Sequence, residues 1–83
     1  MFESLNDPID VLTIFEEGKL EPLRFRWKGK VIRIAKVTGR WSRREGQTQL
    51  RYFSVESGSE TYELCYDPRG PRWFLSRAWC ETQ

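Results

Sequence analysis

Apolar and basic residues alternate along residues 22–37 (PLRFRWKGKVIRIAKV), on either side of Lys28-Gly29. A period of two marks a half-buried strand, and glycine tolerates the positive φ that a tight hairpin turn needs. With Lys28 and Gly29 as the loop, Trp27 faces Lys30, Arg26 faces Val31, Phe25 faces Ile32, Arg24 faces Arg33 and Leu23 faces Ile34. One face then carries Leu23, Phe25, Ile32 and Ile34. The other carries Arg24, Arg26 and Arg33, with Val31 and Ala35. A slip of one residue would mix the two sets, so the pattern selects this register.

A second hairpin is expected from residues 49–56 (QLRYFSVE) and 59–66 (SETYELCY), with Ser57-Gly58 at its tip. That tip sets Phe53 opposite Tyr62 and Arg51 opposite Leu64, and gives Phe53, Val55, Tyr62 and Leu64 one core face. Residues 67–71 (DPRGP) are dense in turn formers, and a last strand follows over 72–79. Residues 40–48 (RWSRREGQT) read as a polar, basic loop between the hairpins. Residues 7–18 (DPIDVLTIFEEG) read as a first strand closed by a Glu17-Gly18 turn, since Val11, Thr13, Ile14 and Phe15 favour an extended chain. The alternative is a short helix capped by Asp7 with Pro8 at its first position. The spacing predicts an all-β, or mostly β, fold: an antiparallel meander of five to six strands in a strongly twisted sheet or a small half-open barrel.

Length allows one domain only, 1–83. So small a domain is marginal. Its twelve aromatic residues, four Trp and five Phe among them, make a core viable, and most are expected to be structural. Histidine is absent, which removes the usual general base and the commonest metal ligand. Carboxylates such as Glu60 and Glu63 belong to no catalytic motif, and Cys65 lies within a predicted strand, so a non-enzymatic protein is expected, with no cofactor and no metal site. Residues 1–10 (MFESLNDPID) are acidic and lack an apolar run, and no stretch is apolar enough to span a bilayer. This points to a cytoplasmic protein without membrane contact, in which Cys65 and Cys80 stay reduced unless their strands are neighbours.

Charge changes the picture most. The formal charge is only +2, yet residues 1–21 sum to −5, residues 22–51 to +9 and residues 52–83 to −2. These divide the domain into an acidic N-terminal segment, a basic hairpin and loop, and C-terminal strands. Arg24 directly opposite Arg33 should weaken the hairpin by some tenths of a kcal/mol. Either the acidic segment packs across that face, or the face awaits an anionic partner. Seven of the ten basic residues in 22–51 are arginine, which suits phosphate or carboxylate forks. A nucleic-acid surface, DNA or RNA, is therefore the first functional expectation. Arg24, Arg26 and Arg33 would contact phosphates, with Lys28 and Lys30 adding charge at the tip and Arg40, Arg43 and Arg44 from the loop. Trp27 and Trp41 are candidate stacking rings, Trp27 being the more suited to the core. The alternative is a protein-interaction adaptor with an acidic partner or an added strand, or self-association, the acidic segment of one copy lying on the basic segment of another to form a homodimer.

Residues 22–41 (PLRFRWKGKVIRIAKVTGRW), with 51–55 (RYFSV), 61–64 (TYEL) and 72–75 (RWFL), carry a resemblance to a family of small bacterial domains of unknown function. Similar segments occur alone and as the C-terminal tail of proteins resembling Y-family DNA polymerases. The shared motifs are patterns of aromatics and arginine, and this chain departs from them in lacking further Trp residues in 41–48. The resemblance implies a DNA-repair setting, with DNA or a repair protein as partner; it implies no activity and assigns no functional residue.

Overall fold

The computed structural model describes residues 2–79. They form seven strands and no helix: β1 (Phe2–Glu16), β2 (Lys19–Trp27), β3 (Lys30–Arg33), β4 (Lys36–Glu45), β5 (Thr48–Ser57), β6 (Glu60–Asp67) and β7 (Arg72–Trp79). All pairings are antiparallel, in the order β3-β2-β1-β7-β6-β5-β4. Chain neighbours pair, except that β1 and β7 bring the two ends of the described chain together and β3 and β4 lie at opposite margins. The sheet is strongly curled into a half-barrel. Residues 7–16 are strand, so the helical alternative is excluded.

Two runs of chain serve both halves of this sheet. β1 pairs with β7 through residues 2–9 and with β2 through residues 10–16. Residues 30–45 change partner at Ile34-Ala35: Ile34 N donates to Leu23 O at 3.0 Å, and Ala35 N donates to Glu56 O at 2.8 Å. The result is a three-strand leaf (β3, β2 and the second half of β1) folded against a five-strand leaf, with strands that switch sheets forming the corners. Four of the six pairings contain a register shift, and each such bulge adds local twist. In β1 the bulge includes Asn6 at φ 68°, a conformation asparagine accepts more readily than most residues.

The first hairpin has the expected register from Trp27↔Lys30 to Arg24↔Arg33. Lys28 and Gly29 both have positive φ, 53° and 76°, as a type I′ turn requires. Three expectations are corrected. Leu23 faces outward, 39% exposed, because it is the extra residue between Thr13↔Pro22 and Leu12↔Arg24; the bulge reverses the alternation and sends Pro22 to the core in its place. Residues 40–48 are not a loop: β4 continues through Glu45, and only Gly46-Gln47 turn, which brings the strand count to seven. The tip of the next hairpin is Gly58-Ser59, so Phe53 lies opposite Leu64 and Val55 opposite Tyr62. A two-residue turn with glycine first, here at φ 63°, moves the tip by one residue and the register by two. A shift of two keeps every side chain on its face, and Phe53, Val55, Tyr62 and Leu64 are all buried as expected.

The core joins the two leaves. Phe25, from the three-strand leaf, sets its ring edge-on to Tyr62 at 5.2 Å, among Ile9, Phe53, Val55, Leu64, Trp73, Leu75 and Ala78. Residues 68–71 turn, within the predicted 67–71, while Asp67 closes β6 opposite Arg72. Asp67 is buried and accepts from Arg69 three times at 3.0 Å, from the backbone N, Nε and Nη2. Arg69 Nη2 also reaches Glu45 at 3.0 Å and ties this turn to the β4–β5 tip. The Arg69 hydrogen bonds hold the Asp67 carboxyl below the ordinary aspartate range. A depressed carboxyl stabilises the fold above that range and loses its contribution as pH falls through the folded value. Asp67→Asn should therefore lower the melting temperature at neutral pH and flatten its decline on acidification, which melts of both proteins at a series of acid pH values will read.

Candidate nucleic-acid interface

The three-strand leaf presents two cross-strand rows to solvent. Leu12, Arg24 and Arg33 form one, and Asp10, Arg26 and Val31 the other. Leu12 is 49% and Val31 59% exposed, so the face mixes arginine with apolar surface. The acidic segment lies beside this face rather than over it. Asp10 approaches Arg26 at 3.9 Å between exposed groups, a separation that contributes little. Glu21 turns to the far margin of the sheet and meets Arg40 at 2.9 Å. Asp7 accepts from Trp27 Nε1 at 3.0 Å. Glu16 and Glu17 stand at the β1–β2 tip and, with Arg24 and Arg33, make no ion pair among the described residues.

The remaining expected residues scatter over three places. Lys28 lies in the β2–β3 turn and Lys30 follows it opposite Trp27, and Lys28 Nζ lies 5.0 Å from the Trp27 ring. Trp27 is half-buried, packs on the core and meets Tyr62 edge-on at 6.3 Å; it is committed to the fold. Arg40 and Arg44 alternate with Trp41 and Arg43 along β4 and so point to opposite sides of the sheet. Arg40 lies over Phe53, 5.9 Å from its ring. Trp41 is 42% exposed and stacked on Tyr52, with ring centres 5.5 Å apart and planes 7° apart. The basic residues thus do not form one patch: Arg24, Arg26 and Arg33 make a group, and Trp41 with Arg43 belongs to a separate one.

The second group has members that the sequence reading did not single out. On the outward side of the five-strand leaf, one row crosses five strands: Pro8, Phe74, Cys65, Tyr52 and Trp41, each opposite the next. Arg43 lies 5.5 Å from the Tyr52 ring and Arg72 5.2 Å from the Phe74 ring. The available signal was that β5 is apolar on both faces, Leu50 and Tyr52 on one and Phe53 and Val55 on the other, which implies cover on each. Residues 40–48 lack the apolar alternation of a strand, so Trp41, the ring that stacks on Tyr52 at the end of this row, reads as part of a loop.

Burial pushes the Cys65 thiol and the Tyr52 phenol above their ordinary values, so both stay protonated near neutrality. Cys65 is buried, with Tyr52 opposite it on one side and Phe74 on the other; Cys80 lies outside the described residues. Among the described residues no helix is long and apolar enough to cross a membrane. No known family, curated protein or solved structure matches this chain.

Proposed function

We propose that the protein is a non-enzymatic binding module that holds nucleic acid on the outward face of β1–β3, with Arg24 and Arg33 contacting phosphates and Arg26 adding charge. One observation carries this reading. Arg24 and Arg33 lie directly opposite each other with no carboxylate in ion-pair range among the described residues. Like charges so placed weaken a sheet, and the acidic segment does not offset them: Asp10 approaches Arg26, Glu21 pairs with Arg40, Asp7 accepts from Trp27, and Glu16 and Glu17 make no ion pair among the described residues. Phosphate would supply the missing counter-charge and release the counterions that condense on nucleic acid. The protonated Cys65 accords with a binding rather than a catalytic role.

A second reading is a protein-interaction adaptor, and the apolar exposure on this leaf favours it: Leu12 and Val31 lie among the arginines, and Phe15 at the β1–β2 tip is 72% exposed. Fluorescence anisotropy separates the two. Wild type and the triple variant Arg24→Ala, Arg26→Ala, Arg33→Ala are titrated with labelled single-stranded DNA, duplex DNA and RNA at two salt concentrations. Micromolar binding that weakens with salt and fails in the variant supports the nucleic-acid reading. No binding at low salt rejects it and turns attention to a protein partner.

A further inference from the structure

We infer that the outward row of the five-strand leaf is a base-stacking platform, and that the nucleic acid this protein takes is single-stranded. The inference rests on the phosphate-binding reading above and adds to it the surface that meets the bases.

The row Trp41, Tyr52, Cys65 and Phe74 runs across four neighbouring strands. At a strand spacing of about 4.8 Å it measures roughly 14 Å from end to end; Tyr52 and Cys65 in its middle are buried, so it offers ring surface at its two ends, the exposed Trp41 and the half-buried Phe74, one base to each. Two adjoining hollows, of about 500 and 440 Å³, lie along it and share Asn6, Arg43, Tyr52 and Ser76. The hollows hold three carboxylates, and each already has a cation. Glu45 and Asp67 bind Arg69, at 3.0 Å each, and Glu63 meets Arg77 at 3.6 Å. Arg43 and Arg72 make no ion pair among the described residues and lie on ring faces instead. A guanidinium parked on an aromatic ring can swing to a phosphate and leave the ring face to a base.

Trp41 is the ring that a base reaches first. Its stack on Tyr52 fixes its plane. The row also continues into the arginine face. Pro8, Asp10 and Leu12 alternate with inward-facing residues on β1, so Pro8 ends the aromatic row while Asp10 and Leu12 begin the two arginine rows. A strand with its backbone on Arg24 and Arg33 therefore has the platform on the same side of β1. Paired bases in a duplex present edges rather than faces and cannot stack there.

The test uses a labelled oligothymidylate of about 12 nucleotides and a duplex of equal length, with wild type, Trp41→Ala, Phe74→Ala, Trp41→Phe and the triple arginine variant. Melting curves confirm that each variant is folded. Trp41→Ala and Phe74→Ala should each weaken oligothymidylate binding by about 5- to 100-fold, Trp41→Phe should recover most of it, and duplex binding should be weak and unmoved by either. If wild type binds and the triple arginine variant does not, yet Trp41→Ala and Phe74→Ala bind oligothymidylate normally, the platform is wrong and the phosphate face stands. If Trp41→Ala weakens oligothymidylate and duplex equally, the single-strand preference is wrong. If wild type binds neither probe at low salt, both proposals fall.

Discussion

Phe25→Ala is expected to cost about 3–5 kcal/mol of folding stability and to leave much of the population unfolded at physiological temperature. A chain of this length holds roughly 4–12 kcal/mol in total, so one substitution removes a large share. Phe25 is the largest fully buried side chain among the described residues, 1% exposed, and it comes from the smaller leaf into a core built mainly by the larger one. Its removal takes away the nearer of the two rings set edge-on to Tyr62, leaving Trp27, and opens a cavity where the leaves meet. The facing positions come from different strands and leaves, so the site has little means of collapsing. Leu23→Ala is the control: outward on its bulge, it should cost less than about 0.5 kcal/mol. Urea titration followed by tryptophan fluorescence reads both. Strict alternation assigns Leu23 and Phe25 to the same face and predicts comparable losses, so equal midpoints would contradict the bulge.

That pair marks how far sequence patterning reaches in this fold. The first hairpin was legible from its tip outward because Lys28-Gly29 admits one compact turn and the Arg/apolar alternation leaves one register. Legibility stopped at Leu23, where an extra residue reverses the alternation. The one local sign was Pro22, since a proline inside a strand is confined to edges and bulges. The second hairpin was misplaced by two residues and its core survived, because period two is blind to such a shift. β4 was unreadable for a different reason. Residues 40–45 contain a single apolar residue, and their extended form comes from pairing with β5 rather than from any preference of their own. Closure through β1 and β7 joins residues more than sixty positions apart, which no local signal encodes. The candidate site followed the same division. Arg24, Arg26 and Arg33 group as the hairpin register implied, whereas the Trp41 row depends on four strands and their mutual registers.

Arg33→Glu is expected to move stability and binding in opposite directions. In the free protein it turns a repulsive cross-strand pair into an attractive one beside Leu12, worth some tenths to about 1 kcal/mol, so the melting temperature should rise. In the complex it removes one phosphate contact and sets a negative charge at the same place. The affinity for oligothymidylate should then fall about tenfold or more, and the slope of log affinity against log salt should shallow by about 0.7 or more. A residue kept for the fold alone would show the reverse sign in the melt, because removing it would expose a lost partner. A residue kept for an anionic ligand is held against the interest of the free sheet. Thermal melts with and without oligothymidylate read both quantities on one sample: the variant should melt above wild type when free and gain less than wild type when the oligonucleotide is added. A lower melting temperature for free Arg33→Glu would mean that Arg33 serves the sheet itself, and the case for Arg24–Arg33 as a phosphate site would lose its basis.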